Sequence, residues 1–512
     1  MTEPATAPRL SRAHLPVPGI RRPAAVPEQG IVHLGLGNFH RAHQAVLTAE
    51  ALQHEPGPWG ITGVATSRRA HARPVIAEMA AQDGLYTVLT LAGGGSVAAE
   101  VPGVHGPGLS AREQGAEVVA ALGSATTRIV TLTVTEKGYR SGPGGALDTD
   151  DPEVAADLAG VGPPRTTPGL LVRGLQQRVR SHAAPLTLLS CDNLSDNGAQ
   201  LARLLREFTE GLPAAEREEL LPYLSRAVAT PGSMVDRIVP ATTEDHRDLV
   251  ARCFGLRDTV PVPAEPYRLW VVQDEFAAGR PAWERAAGAV LAASHEEVSA
   301  YELMKLRLLN GAHSLLAYLG LLGGHALMAD AASDPALHAV VRHAMLQEIL
   351  PTLTPPPGVD GPGYVEELLT RFTNRALGHR TAQVAADGSL KIPVRWPAVL
   401  AHGLRAGDCP PVVALGLAAY LHVVTGGTEA YDAAALGEVC DPAAGRLRAL
   451  AARAVGGRQR TALLLAEGGL LPPPLATDPA LVTAVAEHAE ALARHGAHQV
   501  TASLAKTLAD GA

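Results

Sequence analysis

The chain has 512 residues, of which 46% are hydrophobic and 18% charged, with a formal net charge of -8. That length and composition predict two or more domains with ample core, and rule against a largely disordered chain. The acidic balance, with no long basic run, counts against nucleic acid or an anionic membrane as a partner.

Residues 1–28 are Pro-rich, lack the apolar core of a signal segment, and are expected to form a flexible N-terminal arm. "GIVHLGLGNFHRAHQAVL" then predicts a strand over Ile31 to Leu34, a tight glycine turn and a helix from about Phe39. Trp59 to Ser67 predicts a second strand. "TRIVTLTVTEKGY", Thr127 to Tyr139, and "PLTLLSCDNLSDNG", Pro185 to Gly198, are apolar runs with polar endings. Helical stretches lie between these strands, which argues for an α/β, doubly wound, mostly parallel sheet. Ligands of such sheets bind outside the carboxyl ends of the strands, where Thr135, Glu136, Lys137, Asp192 and Asn193 fall. Asp and Asn also start turns, which is the plainer reading of any single strand end. From about Ser299, long Ala/Leu-rich segments replace the strand signals. The domains expected are therefore 29–295, a nucleotide-binding α/β domain, and 296–512, a mainly α-helical C-terminal domain. No run of about 18 apolar residues is present, so no membrane span is expected, and the cytoplasm is the expected compartment. Cys191, Cys253, Cys409 and Cys440 are scattered without a CxxC pair, which supports neither a zinc ribbon nor a disulfide framework. Cys191 beside Asp192 is read as a small buried residue at a strand end, with a thiol nucleophile as the alternative.

"GLGNFH" places Gly35 and Gly37 as in a GxGxxG dinucleotide turn, but His40 stands where the third glycine would be. A strand before it and a helix after it strengthen the reading. Gly35 would allow the sharp turn, Gly37 would let a pyrophosphate approach, and the helix start would offer N–H groups to it. Leu34, Gly35, Gly37, Asn38, Phe39, Ser67 and Arg68 are the candidate cofactor residues. After the second strand come Thr66, Ser67, Arg68 and Arg69, with no acid to hold a ribose hydroxyl. That permits NADP; the alternative is two solvated arginines at a helix start.

"KLRLLNGAHS", Lys305 to Ser314, reads as one helix with polar groups set among apolar ones. On a wheel of about 100° per residue with Lys305 at zero, Glu302 falls near about 60°, His313 about 80° and Asn310 about 140°. A partly buried lysine has a lowered pKa and can exchange protons near neutrality. Asn310 can donate to a substrate oxygen, and His313 can orient a hydroxyl or stabilise an oxyanion. The set suits hydride transfer at a carbinol or carbonyl carbon without a metal. Taken singly, Lys305 is as well a surface charge and His313 a satisfied core histidine.

Seven pieces in order, "GLGNFHRAHQA", "QDGLYTV", "TVTEKGY", "SCDNLSDNG", "TPGSMVDRIVP", "AEPYRLWVVQDEF" and "KLRLLNGAHS", resemble the polyol-specific long-chain dehydrogenases, the family of mannitol 2-dehydrogenase and fructuronate reductase. The resemblance runs from about Gly30 to Leu504. It implies a Rossmann-type domain followed by a helical one, and zinc-independent chemistry. It places the family's catalytic lysine on Lys305, its oxyanion-hole asparagines on Asn193 and Asn310, and its substrate histidine on His313. It also assigns Glu136 to proton movement and makes Asp236 and Glu302 further active-site acids. Asp236 has no other warrant in the sequence.

The resemblance leaves the substrate between two classes. Mannitol-type members carry TEGGY, whereas this chain has Thr135-Glu136-Lys137-Gly138-Tyr139, and they place an arginine where Gln383 aligns. Lys391 is kept, and "NGAHSLLAYLG" is nearer to fructuronate reductases. Lys137 would then be a counter-charge for a hexuronate carboxylate, or else a structural lysine pointing away. Lys137, Gln383 and Lys391 are the candidate substrate residues. The expectation is NAD-dependent reduction of D-fructuronate to D-mannonate, with mannitol 2-dehydrogenase activity as the alternative and NADP kept open. The expected partner is a small sugar acid or polyol, and a monomer is expected, with a dimer as the alternative.

Overall fold

The computed structural model describes residues 7–15, 17–21, 26–66, 72–426 and 439–510, and the chain divides into two compact units, 1–299 and 300–512. The first unit holds thirteen described strands: β1 Ile20–Arg21, β2 Gln29–Leu34, β3 Gly60–Ala65, β4 Val88–Leu91, β5 Val97–Glu100, β6 Leu109–Ser110, β7 Ile129–Leu132, β8 Leu186–Ser190, β9 Val228–Ala229, β10 Ser233–Asp236, β11 Val262–Ala264, β12 Leu269–Gln273 and β13 Ala289–Ala292. Six of them form one sheet in the order β6-β3-β2-β7-β8-β9. Every neighbouring pair in it is parallel. From β2, strands β3 and β6 thus run outward to one side and β7, β8 and β9 to the other, the Rossmann arrangement, which opens a crevice where the order reverses.

Alternation along the central strands builds two cores. Val32, Leu34, Val64, Val130, Leu132 and Leu188 enter one apolar cluster, with residues of the helices Thr167–Ser181 and Asn197–Glu210. Ile31, Ile61, Ile129 and Leu189 point to the other face and meet Val235, Trp270, Val272 and Trp283. Strands buried on both faces read as continuous β-branched runs, which is why the sequence announces them.

Two smaller sheets were not expected from the sequence. One has the order β1-β5-β4-β11, the other β10-β12-β13. Their short strands and Pro or Gly punctuation hide them from a periodicity argument. The expected flexible arm is also corrected over its described residues. Leu10, Leu15 and Ile20 are buried with Leu85, Leu89, Val101 and Leu256. The Leu10 N–H donates to the Arg257 carbonyl at 2.9 Å, and Arg257 returns a bond to Pro8 at 2.8 Å. Burying one such leucine stabilises by about 1.5–3 kcal/mol, enough to fix a segment that its prolines alone leave open.

Among its described residues the second unit is built of helices joined by turns and loops, with no strand of two or more residues. The helices Gly311–Leu322 and Pro411–Thr425 are buried along nearly their whole lengths. They approach closely: a Cβ on Gly416 would sit 2.3 Å from Leu315 Cδ2. The helix Pro411–Thr425 is capped from outside by Glu348, whose carboxylate accepts from the N–H groups of Val412 at 2.9 Å and Val413 at 3.0 Å. Among the described residues no helix is long and apolar enough to cross a membrane.

Candidate active-site residues

The glycine turn follows β2 as the sequence predicts. Gly35 has φ 103°, and a Cβ there would lie 2.0 Å from the Thr133 carbonyl oxygen, so no other residue fits. At Gly37 a Cβ would meet only the Gly35 carbonyl, at 3.7 Å, which leaves the face of the turn clear for a phosphate group. The following helix is shorter than expected. Asn38–Ala42 ends at His43, with φ -122° and ψ -87°, and a second helix, Gln44–His54, continues in a new direction.

His40 explains how the turn works without a third glycine. Its ring stacks on His33, with centroids 3.3 Å apart and planes 9° apart. His33 Nε2 lies 3.1 Å from the Gly35 carbonyl oxygen and 2.9 Å from Thr133 Oγ1, while its Nδ1 lies 2.8 Å from Thr131 Oγ1. His40 Nε2 is 3.1 Å from His105 Nε2. Burial pushes His33 and His105 down to about 3 and holds His40 well below the ordinary histidine range, so all three rings are neutral. The carbonyl beside His33 Nε2 accepts only, so that nitrogen carries the proton and Nδ1 accepts from Thr131. A neutral stack thus supports the turn from below.

The other cofactor candidates divide. The Leu34 side chain is fully buried in the core, so only its backbone faces the turn. The Asn38 side chain turns inward: its amide donates to the Pro240 carbonyl at 3.4 Å and Thr242 Oγ1 at 3.2 Å, and its oxygen accepts from Arg41 at 2.7 Å. Phe39 stacks on His43 with centroids 4.9 Å apart. Ser67 and Arg68, with Arg69, lie outside the described residues.

Three neighbouring strand ends are laced together. Thr133, after β7, donates its hydroxyl to the Gly35 carbonyl at 2.8 Å. Asp192, after β8, accepts from the N–H groups of Val134 at 3.0 Å and Thr135 at 2.8 Å. Glu136 and Lys137 are exposed on the short 3-10 turn Glu136–Tyr139, and Asn193 is exposed next to Asp192. Asp236 ends β10 and is buried at 5% exposure. That strand is tied to the same knot, since Asn197 donates to the Ser233 carbonyl at 2.8 Å and the Ser233 hydroxyl donates to the Ser190 carbonyl at 2.5 Å. Cys191 is buried at 1% exposure, and burial pushes its thiol up, so it packs rather than attacks.

In the second unit the expected single helix is three pieces. His295–Met304 is α-helical, Lys305–Asn310 is π-helical, and Gly311–Leu322 resumes the α form. The Gly311 N–H donates to the Leu306 carbonyl, five residues back. A uniform wheel therefore overstates the rotation from Lys305 to Asn310. In an i→i+5 turn, residues five apart stack one above the other, as residues four apart do in an α-helix. Lys305 is buried at 9% exposure, Glu302 and Asn310 are half-buried. Arg395 donates to the Asn310 carbonyl at 2.9 Å and the Ser314 hydroxyl at 2.7 Å, and the Trp396 indole to the Gly311 carbonyl at 3.4 Å. Arg307 donates to the Thr352 carbonyl at 2.8 Å and its hydroxyl at 3.2 Å.

His313 stacks on Phe372 with centroids 4.6 Å apart and meets His379 edge-on at 5.7 Å. Burial, followed by the neighbouring His379 and the positive fields of Arg395, Arg371 and Lys391, holds its imidazole well below the ordinary range and therefore neutral; burial lowers His379 as well. Lys391 donates to the carbonyls of Val384 at 3.1 Å and Ala386 at 2.6 Å, at the end of the helix Thr381–Ala385 that carries the exposed Gln383. Sequence reasoning missed Arg371, His379 and Arg395, since arginines and histidines in a helical region carry no spacing that marks them. Among the described residues no group of three or more His, Cys, Asp or Glu side chains is arranged to hold a metal ion.

Comparisons with known proteins give the family of the chain. The family model of the mannitol dehydrogenase Rossmann domain matches residues 29–285, and that of the mannitol dehydrogenase C-terminal domain matches residues 297–493. D-mannonate oxidoreductase of Escherichia coli (strain K12) is 36% identical over 481 residues, covering 93% of this chain and 96% of that protein. Mannitol 2-dehydrogenase of Cereibacter sphaeroides is 38% identical over 417 residues, covering 80% and 84%. The ternary complex of Pseudomonas fluorescens mannitol 2-dehydrogenase with NAD and D-mannitol superposes with a TM-score of 0.81 at 31% identity, over 97% of this chain and 99% of that one. With both family models matched in order, and relatives aligned over nearly its whole length, the chain belongs to the mannitol dehydrogenase family and is an oxidoreductase.

Proposed function

We propose that this chain is an NAD-dependent dehydrogenase that interconverts a keto-hexuronate and its hydroxy acid, D-fructuronate and D-mannonate. The observation that carries the anionic substrate is the set of cations near His313: Arg371, Lys391 and Arg395 all press positive potential on it. A neutral polyol gives such a field nothing to bind, whereas a carboxylate does.

The glycine turn fits a dinucleotide, with Gly35 making the bend and Gly37 leaving the face open. The bound nicotinamide supplies the hydride. Lys305, buried at 9% exposure, gives its proton to the substrate carbonyl oxygen. Asn310 donates its amide to that oxygen. Neutral His313 accepts from or donates to the adjacent hydroxyl. Glu136, Asp236 and Glu302 are the acids available for passing the proton on, and Lys137 is a further counter-charge.

A second reading, fructose and mannitol interconversion, is favoured by the likeness to the P. fluorescens enzyme, which was solved with D-mannitol. The deciding experiment is nicotinamide oxidation with D-fructuronate, D-tagaturonate and D-fructose, each with NADH and NADPH. Preference for D-fructuronate with NADH is expected; preference for D-fructose overturns the substrate assignment. Lys305→Ala should lower kcat by about 10²–10⁴-fold while NADH binding survives.

A further inference from the structure

Thr135 leaves β7 with φ 62° and ψ 165°. Positive φ with extended ψ is essentially glycine territory, and a β-branched residue held there is strained. The threonine side chain is exposed and caps nothing, so its own contacts do not explain the conformation. The explanation lies in its backbone partners. One Asp192 carboxylate oxygen accepts from the Thr135 N–H at 2.8 Å, and the other accepts from the Val134 N–H at 3.0 Å and the Tyr139 hydroxyl at 2.8 Å. The Tyr139 hydroxyl also lies 2.6 Å from Ser190 Oγ, and the Gly138 N–H donates back to the Thr135 carbonyl at 2.9 Å. A Cβ on Gly138 would sit 2.6 Å from Val134 Cβ, so the turn is as tight as its backbone permits. Asp192 itself is 8% exposed, which shields these bonds from water.

A chain that needed only to bend here would carry glycine at 135. Threonine makes the bend conditional. Without the carboxylate, the residue relaxes to negative φ and carries Glu136 and Lys137 away from the strand end. We infer that Asp192 is a positioning residue, a clasp that holds Thr135 in its strained conformation and thereby aims Glu136 and Lys137 at the substrate. This deepens the functional reading above and rests on it for the role of those two residues.

Strain and positioning have opposite signatures, which makes the inference testable with Thr135→Gly, Asp192→Asn and the double variant. Thr135→Gly removes the strain and loosens the turn. Its Tm is expected to rise by about 2 °C, while kcat/KM on the keto-hexuronate falls about tenfold or more and the Kd for NADH stays unchanged. A residue of merely structural importance would lose activity and stability together. Asp192→Asn should lower both, and its Tm loss should shrink when residue 135 is already glycine. Should Asp192→Asn not fold, Thr135→Gly alone still decides. A Thr135→Gly protein no more stable than wild type overturns the inference, as does one that gains stability with kcat/KM unchanged. If wild type turns over none of the keto-sugars, the functional reading fails; the Tm comparison then decides the clasp, a gain supporting it and equality overturning it.

Discussion

Lys305 and Asn310 stand at the two ends of one π-helical turn, five residues apart. In an α-helix that spacing sets two side chains about 140° apart; in the π form it stacks them on one side. The turn therefore does what the sequence pattern alone could not, and gives a buried lysine and an amide a shared face.

Arg395 holds the far end of that turn. Its guanidinium donates to Asn310 and Ser314, and desolvation pushes it down to about 10. Arg395→Met is expected to cost about 1–3 kcal/mol of stability and to lower kcat more than tenfold, by about the misplacement penalty of a catalytic group. Arg395→Lys should fall between, and guanidinium in the buffer should restore part of the activity of Arg395→Ala. Wild-type kcat in the Arg395→Met enzyme would remove this residue from the mechanism.

The nucleotide turn should tolerate no side chain at Gly35. A methyl group would lie 2.0 Å from the Thr133 oxygen, and φ 103° is closed to alanine. Gly35→Ala should weaken NADH binding by about tenfold or more, a loss of at least about 1.4 kcal/mol, read by fluorescence titration. An unchanged Kd would mean that the phosphates bind elsewhere.

Acid should destabilise the first unit through the histidine stack. His33 and His105 are pushed down to about 3 in the folded chain, from an ordinary value of 6.5. A lowered histidine means that the unfolded chain binds the extra proton, so stability is lost as pH falls from 6.5 towards 3 and no further below it. At pH 5 each of the two costs about 2 kcal/mol. Urea titrations between pH 7 and pH 4 should show this slope, and His33→Gln should reduce it by about one proton. An identical slope in the variant would contradict the neutral stack.

Glu348 runs the other way. Burial raises its carboxyl to about 7 although Val412 and Val413 both donate to it. Its contribution is fully present below 4.5 and is lost as pH rises through about 7, a swing of about 3 kcal/mol. Hydrogen exchange across the helix Pro411–Thr425 should quicken over that window, beyond the intrinsic rate, and Glu348→Gln should abolish the effect. Below pH 4.5 Glu348→Ala should cost about 2–4 kcal/mol by leaving two buried N–H groups without an acceptor, and the loss should shrink as pH rises through about 7.

The parallel sheet was legible because strands buried on both faces must be apolar at successive positions, and β2, β7 and β8 are. Gly35 was legible because only glycine adopts its φ. The two small sheets were not, since strands as short as Leu109–Ser110 carry no period. The packing of Leu10 into a core was hidden by the prolines around it, which report backbone shape and not burial.

The sequence by itself determined the fold class, the glycine turn and the identity of Lys305, Asn310 and His313 as a polar set in an apolar helix. Those follow from local constraints: side-chain period, allowed φ and the cost of burying polar groups. Only the tertiary structure decided that the helix changes its winding at Lys305, that Asp192 holds a strained Thr135, and that the charges of Arg371, Lys391 and Arg395 act on His313. Each of these depends on groups far apart in the chain meeting in a water-poor interior, where a hydrogen bond or a charge outweighs local preference.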